Sequence, residues 1–280
     1  MITAVAILVA AAIFCLLLGL EQNMLLVRRQ EIPLSELPVQ WDGCRIVQIS
    51  DLHHRHSKDI LEKTAMAKPD LIVITGDLVS RDFSPEKSSV RVGNFLRGLQ
   101  KIAPVYYCVG NHELDLMQRR EWQNLRCILE SQGCCILENR TVTLTRGGAA
   151  IDLAGITLRS GHYKNENHYR NLASYTYEEM EMAIGRRQRF TILLAHNPLM
   201  LETYAAWGAD LVLSGHVHGG IARIPGVGGV LSPERRFFPR YDKGLYQNCG
   251  TYLYVSGGVG KFRINVPPEI NVIQLKSVKR

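Results

Sequence analysis

The sequence predicts an α/β fold, and three observations carry that prediction. Short apolar runs that read as strands alternate with helix-length amphipathic stretches along most of the chain. Metal-capable polar residues collect at the C-terminal ends of those runs, the edge where open α/β sheets bind ligands. The chain has 280 residues, 46% of them hydrophobic, which suits one α/β domain with a sizeable core and an appendage.

The appendage comes first. Residues 2–20 form an apolar run without a charge, about the length of a bilayer core. Nothing basic precedes it except the amino terminus, and no small-residue cleavage site follows, so residues 1–22 read as a membrane anchor rather than a cleaved signal. Arg28 and Arg29, the nearest basic residues, lie on its C-terminal side, which the positive-inside rule puts in the cytoplasm. The expectation is a single-pass cell-membrane protein with a cytoplasmic domain. Residues 23–43, with Pro33 and Pro38, read as a linker, and 44–280 as the folded domain.

Residues 45–50 read as a strand ending in Asp51, 58–67 as a helix, and 70–75 as a strand ending in Gly76-Asp77. An amphipathic stretch, 88–102, precedes a strand at 105–109 that ends in Gly110-Asn111-His112-Glu113. Residues 120–132 look helical. Residues 135–156 alternate apolar and polar around Gly147-Gly148, as a hairpin does. A helix at 177–187 leads to a strand at 190–195 that ends in His196-Asn197-Pro198. A helix at 199–207, a strand at 209–214 and two late strands, 251–256 and 269–275, complete the chain.

The formal charge is +7. It permits anionic partners without selecting one, and with no long Lys/Arg block nucleic acid is not expected. Seven cysteines, an odd number with no CxxC pair, argue against a disulfide framework and a cysteine zinc site, and fit a reducing compartment.

The chemistry centres on Gly215-His216-Val217-His218-Gly219-Gly220. Alternate side chains of an extended segment point the same way, so both imidazoles can face one site and suit a borderline metal. Asp51, His53, Asp77, Asn111, His112 and His196 stand at four further strand ends. Turn chemistry explains one such residue, not five strand ends together. Mixed Asp, His and Asn donors suit divalent metals, and there are enough for two ions if a carboxylate bridges them. Two ions can clamp both oxygens of a phosphoryl displacement.

The order Asp51-x-His53, Gly76-Asp77, Gly110-Asn111-His112-Glu113, His196, Gly215-His216-x-His218 resembles the calcineurin-like metallophosphoesterase superfamily. The tail, with Ser232-Pro233, Phe237-Phe238-Pro239, Tyr241 and Gly244-Leu245-Tyr246, resembles its small, often membrane-anchored bacterial members, some of which cleave the pyrophosphate of UDP-2,3-diacylglucosamine. The resemblance implies an α/β/β/α sandwich of two mixed sheets flanked by helices. It implies two divalent ions (Mn, Zn or Fe), one held by Asp51, His53 and His218 and one by Asn111, His196 and His216, with Asp77 between them. A shared hydroxide would attack phosphorus in line, and His112 would protonate the leaving oxygen or stabilise the phosphoryl charge. The implied reaction is hydrolysis of a phosphodiester or pyrophosphate, in a membrane-proximal or lipid-linked substrate. The alternatives are a phosphatase or phosphodiesterase of soluble nucleotides, and an inactive scaffold that keeps its metals for stability.

The protein serine/threonine phosphatases of the superfamily carry a second Asp where this chain has Ser80. What orients His112 is therefore open, with Asp82 and Glu113 nearby. His54 and His56 read as a loop at the site mouth, and His162 and His168 as an exposed loop or cap. Arg223, Arg235, Arg236 and Arg240 read as a solvated basic surface or as a grip on phosphate or anionic headgroups. Trp207 reads as packing.

Overall fold

The computed structural model describes residues 18–53, 55–119, 121–164, 172–233, 235–260 and 263–278, with positions 9, 12, 15 and 16. The anticipated anchor lies largely outside them, and no helix among the described residues is long and apolar enough to cross a membrane.

In chain order the elements are β1 (Leu26–Leu34), β2 (Arg45–Ile49), α1 (Lys58–Ala67), β3 (Leu71–Thr75), α2 (Pro85–Gln100), β4 (Val105–Cys108), α3 (Asn111–Gln118) and α4 (Trp122–Ser131). Then come β5 (Cys135–Ile136), β6 (Arg140–Arg146), β7 (Ala149–Ile156), α5 (Tyr177–Ile184), β8 (Thr191–Ala195), α6 (Leu201–Trp207) and β9 (Leu211–Ser214). A short ribbon of β10 (Arg223–Ile224) and β11 (Gly228–Gly229) precedes β12 (Gly244–Asn248), β13 (Thr251–Val255) and β14 (Glu269–Ser277).

The central strands β3, β8 and β9 are buried along their whole length because both faces of each sheet are covered there. Two six-stranded sheets form, in the orders β1-β14-β2-β3-β4-β5 and β12-β13-β9-β8-β7-β6. Both are mixed: β2 to β5 run parallel while β14 opposes β2. In the second sheet β7, β8, β9 and β13 run parallel between antiparallel edge strands. Successive side chains of one strand enter different cores. Val47, Ile49, Ile72 and Ile74 pack against Ile60, Phe95, Leu96 and Leu125 of the helices. Ile46, Leu71 and Val73 point the other way, to Leu153, Ile192, Leu194 and Leu213 of the facing sheet. Leu193, Val212 and Leu253 meet Met180, Leu201, Tyr204 and Trp207 on the far side. This is the expected four-layer sandwich, with Trp207 in its packing role.

Two differences from the sequence reading stand out. The stretch 23–43 is no linker, because β1 pairs with β14 in register from Leu26 against Glu269 to Leu34 against Ser277. Its mixed polarity reflects an edge strand with one covered face, and the partner lies at the other end of the chain. The helix α3 was not foreseen because its sequence, NHELDLMQ, carries no apolar stripe; only Glu113 and Leu116 are buried on it.

Polar side chains also stitch the two sheets together, Gln48 among them. Buried Gln48 of β2 donates through Nε2 to Thr75 Oγ1 (3.0 Å) on β3 and to the Ser214 carbonyl (2.9 Å) on β9. Gln48→Ala leaves both acceptors buried without that donor. The expected cost is about 2 kcal/mol of unfolding free energy, read as a lower urea midpoint at unchanged slope.

Candidate metal centre

Asp51, His53, Asp77, His216 and His218 all have left-handed backbone, with φ of 53°, 50°, 51°, 70° and 58°. That conformation is uncommon outside glycine, and clusters of it mark functional sites. It corrects the extended-segment argument for the histidine pair. β9 stops at Ser214, and left-handed turns at both histidines bring them to one place. Glycines let the strand ends approach: a Cβ on Gly215 would collide with Ser50 and the Asp51 carboxylate, and one on Gly110 with Asp77.

The structure brings all eight predicted site residues together. Asp51 accepts from the His216 backbone N–H (3.2 and 3.3 Å to its two oxygens) and from the Ser50 hydroxyl (2.7 Å). Its Oδ1 lies 3.8 Å from His218 Nδ1 and 4.0 Å from His196 Nε2. Asp77 accepts from the His112 N–H through Oδ1 (2.9 Å), while Oδ2 faces His196 Nε2 at 3.4 Å and His112 Nε2 at 3.8 Å. The His53 ring lies 4.6 Å from that of His112 and 5.6 Å from that of His218. The His196 ring lies 5.0 Å from that of His216.

Three overlapping sets of donor atoms result, each within 4.8 Å of one another: Asp51, His53 and His218; His53, Asp77 and His112; Asp51, Asp77 and His196. The lone pairs decide whether they fit a cation. His196 Nδ1 sits 2.7 Å from the Thr75 carbonyl, so it carries a proton and Nε2 is the nitrogen that can give up its proton and offer a lone pair to a cation. That nitrogen faces Asp77 Oδ2 at 3.4 Å and Asn111 Oδ1 at 3.2 Å. Carboxylate and amide oxygens thus converge on that nitrogen, and His53 Nδ1 is buried without a hydrogen-bond partner among the described residues. The donor set fits a divalent cation.

The electrostatics show carboxylate charge concentrated at the same atoms. Burial alone would push the His196 imidazole down, but the Asp77 and Asp51 carboxylates hold it up at about 10. Burial pushes His112 down to about 4 against the pull of Asp77. Burial and the Asp77 charge push the Glu113 carboxyl up to about 7.

Glu113 does not orient the His112 ring. Its Oε2 accepts from the backbone N–H of Asp77 (2.9 Å) and of Gly110 (2.8 Å), tying the ends of β3 and β4 together. The ring is held by the backbone N–H of Arg81, which donates to Nδ1 at 3.1 Å. That bond leaves the ring proton on Nε2.

Sequence reasoning missed four neighbours. Arg81, Lys164 and Tyr163 line a cavity of about 120 Å³ with Asp77, Asn111, His112, His216 and His218, and Lys164 is fixed by Asp115 at 2.8 Å. Buried Arg263 donates to His218 Nδ1 at 2.5 Å, so an ion bound through Nδ1 takes the lone pair Arg263 holds here. The adjacency of Arg81 to the Asp77 motif was a usable signal; Arg263 and Lys164 sit in loops with none. Of the other histidines, His56 bonds the Leu78 carbonyl (2.9 Å) and lies edge-on to Phe95. His162 is buried, not exposed, with Nδ1 3.0 Å from the Ala173 carbonyl and its ring against Tyr175. His54 and His168 lie outside the described residues.

The profile of the family described as Calcineurin-like phosphoesterase matches residues 44–220. The uncharacterised metallophosphoesterase YkuE of Bacillus subtilis is 28% identical over 270 residues, covering 92% of this chain and 88% of that protein. The phosphodiesterase YaeI of Escherichia coli is 28% identical over 241 residues, 82% of each. The UDP-2,3-diacylglucosamine pyrophosphatase LpxG of Chlamydia muridarum is 25% identical over 311 residues, covering 91% of this chain and 90% of that protein.

Proposed function

The chain belongs to the calcineurin-like phosphoesterase family, and from that premise we propose that it uses two divalent ions to hydrolyse a phosphodiester or pyrophosphate bond in a membrane-proximal substrate. The observation that carries this reading is Asp77, which belongs to two overlapping donor sets, one with Asp51 and His196 and one with His53 and His112. Asp51, His53 and His218 would hold one ion and Asn111, His196 and His216 the other, with Asp77 available to both. Bound there, the ions supply Lewis acidity at phosphorus and activation of water at neutral pH.

The rest falls to the side chains around them. The His112 Nε2–H, fixed by the Arg81 amide at Nδ1, donates to the leaving oxygen. Arg81 and Lys164 at the cavity wall take the phosphoryl charge that grows in the transition state. Glu113 keeps the Asp77 and Gly110 backbones in place, so the donor set is formed before substrate arrives.

The substrate class rests on a second cavity, of about 910 Å³, which runs from His53, His112 and His218 past Arg55 and Arg91 to Asn23. A phosphate monoester needs no such length, whereas a diester or pyrophosphate with a large second substituent does. Asn23 follows the apolar run that reads as an anchor, which favours a lipid-linked substituent. The names of YaeI and LpxG agree with a diester or pyrophosphate.

The test is hydrolysis by the full chain in detergent, stripped of metal and re-supplied with Mn²⁺, Zn²⁺ or Mg²⁺. Metal-dependent turnover of bis(p-nitrophenyl) phosphate above that of p-nitrophenyl phosphate is the expected result. A monoester preference would favour a soluble-nucleotide phosphatase. No turnover of these or of lipid pyrophosphates, by folded protein shown to bind metal, would leave the scaffold.

A further inference from the structure

The loop leaving the metal centre after His218 holds large apolar side chains out in solvent. Phe237 is 72% exposed, Val227 65% and Phe238 59%, and Ile221, Ile224 and Ile264 are exposed as well. Exposed apolar residues scattered singly are ordinary, but these belong to one surface. The Ile264 N–H donates to the Ile221 carbonyl, and the Ile221 N–H to the Leu231 carbonyl. Leu231 bridges to Phe237, the Phe238 N–H donates to Val230, and β10 pairs with β11 on either side of Val227.

Arginines are interleaved with this surface. Arg223 pairs with Asp242 at 2.6 Å and Arg240 with Glu202 at 2.8 Å, while the Arg236 side chain is exposed and makes no ion pair among the described residues. Two further observations fix where the surface lies. It is joined to the chain just after the apolar run: the Asn265 N–H donates to the Glu21 carboxylate, and the Gln22 amide bonds both N–H and C=O of Arg263. It also borders the metal centre, since Pro233 of the same loop lines the cavity that holds His112 and His218.

We propose that this surface docks on a bilayer that carries anionic headgroups. Phe237, Phe238, Val227 and the three isoleucines enter the boundary between headgroups and acyl chains, and the arginines meet headgroup phosphates. Apolar tips with a basic surround are the composition that interfacial binding demands. The apolar run attached to the same edge makes a membrane the favoured occupant over a soluble protein. Docking there seats the mouth of the metal centre at the bilayer surface. The inference is independent of the catalytic reading, since it rests on residues outside the donor set.

Depth-dependent quenching of a single added tryptophan tests it. The three native tryptophans, Trp41, Trp122 and Trp207, are buried and give a constant background. Full-chain Phe238→Trp is reconstituted in phosphatidylcholine–phosphatidylglycerol vesicles that contain a lipid spin-labelled near the headgroup. Met182→Trp is the reference, at an exposed position on α5, which packs on β6 and β7 at the opposite edge of the second sheet from β12. The expected result is a blue shift and loss of the added emission at position 238 but not at 182, weaker in pure phosphatidylcholine. Equal quenching at both positions overturns the proposal, because a tether alone gives that. A blue shift at 238 without vesicles also overturns it. If the shift grows with protein concentration the surface is covered by a second copy, and if it does not, by the chain's own N-terminal segment. Quenching of equal strength in both lipids overturns the headgroup component.

Discussion

His112→Ala is expected to lower kcat by roughly two to four orders of magnitude while bound metal stays at the wild-type level. The ring is half-buried and its Nδ1 is filled by the Arg81 backbone N–H, so Nε2, with the Arg81 guanidinium 3.4 Å away, is the nitrogen left to face substrate, and in the neutral ring it carries the proton. The group bonded at Nδ1 among the described residues is the Arg81 amide, not a carboxylate, in the position that the second Asp of the serine/threonine phosphatases would serve. An amide N–H there holds the imidazole neutral and fixed, as a hydrogen-bond donor rather than a cation. Two diesters separate its possible tasks. If Nε2–H protonates the leaving oxygen, the variant loses far more activity on an alkyl ester than on a nitrophenyl ester, whose leaving group needs no proton. An equal loss on both would assign the ring to phosphoryl charge instead. Metal loss in parallel with activity would count against either task, because it would make His112 a metal ligand.

The site residues were legible in the sequence because each stands at the end of an apolar run, and a parallel strand can deliver its side chain to only one edge. What was not legible depends on contacts between distant segments. β1 looked like a linker because Pro33 and alternating polarity hide an edge strand whose partner, β14, lies at the far end of the chain. Glu113 stood in plain view beside His112, yet its partners are the amides of Asp77 and Gly110. A local reading offered the neighbouring ring instead. Arg263 follows no motif, and its burial against Gly257 and Gly258 appears only when β13 and β14 are brought together. The left-handed turns at Asp51, His53, Asp77, His216 and His218 were half-visible, since Asp and His tolerate that conformation better than branched residues.

The second large effect is expected at Asp77→Asn, and it separates the needs of the fold from those of the reaction. Asparagine keeps the shape and the oxygen that accepts from the His112 amide, so the local backbone has no reason to move. What it removes is the negative charge facing His196 and His112. Without metal, two consequences oppose each other. The His196 imidazolium loses its main carboxylate partner, while buried Glu113 is relieved of a like charge that raises its pKa. Metal-free wild type and variant are therefore expected to unfold at similar temperatures. With metal the two part. An ion at a hundred times its dissociation constant stabilises the native state by about 2.7 kcal/mol, and a variant without the shared carboxylate forgoes most of that gain. Turnover should fall further still, by roughly a thousandfold or more, since the charge that would serve both ions is also what sets them for catalysis. Thermal unfolding of both proteins with and without Mn²⁺, beside turnover of a diester, reads all of this together. Equal stabilisation of wild type and variant by metal would remove Asp77 from between the ions. A metal-free variant that unfolds far below metal-free wild type would make the carboxylate a structural residue first. The expected pattern, matched stability without metal and divergence with it, is that of a buried charge placed there for a cation.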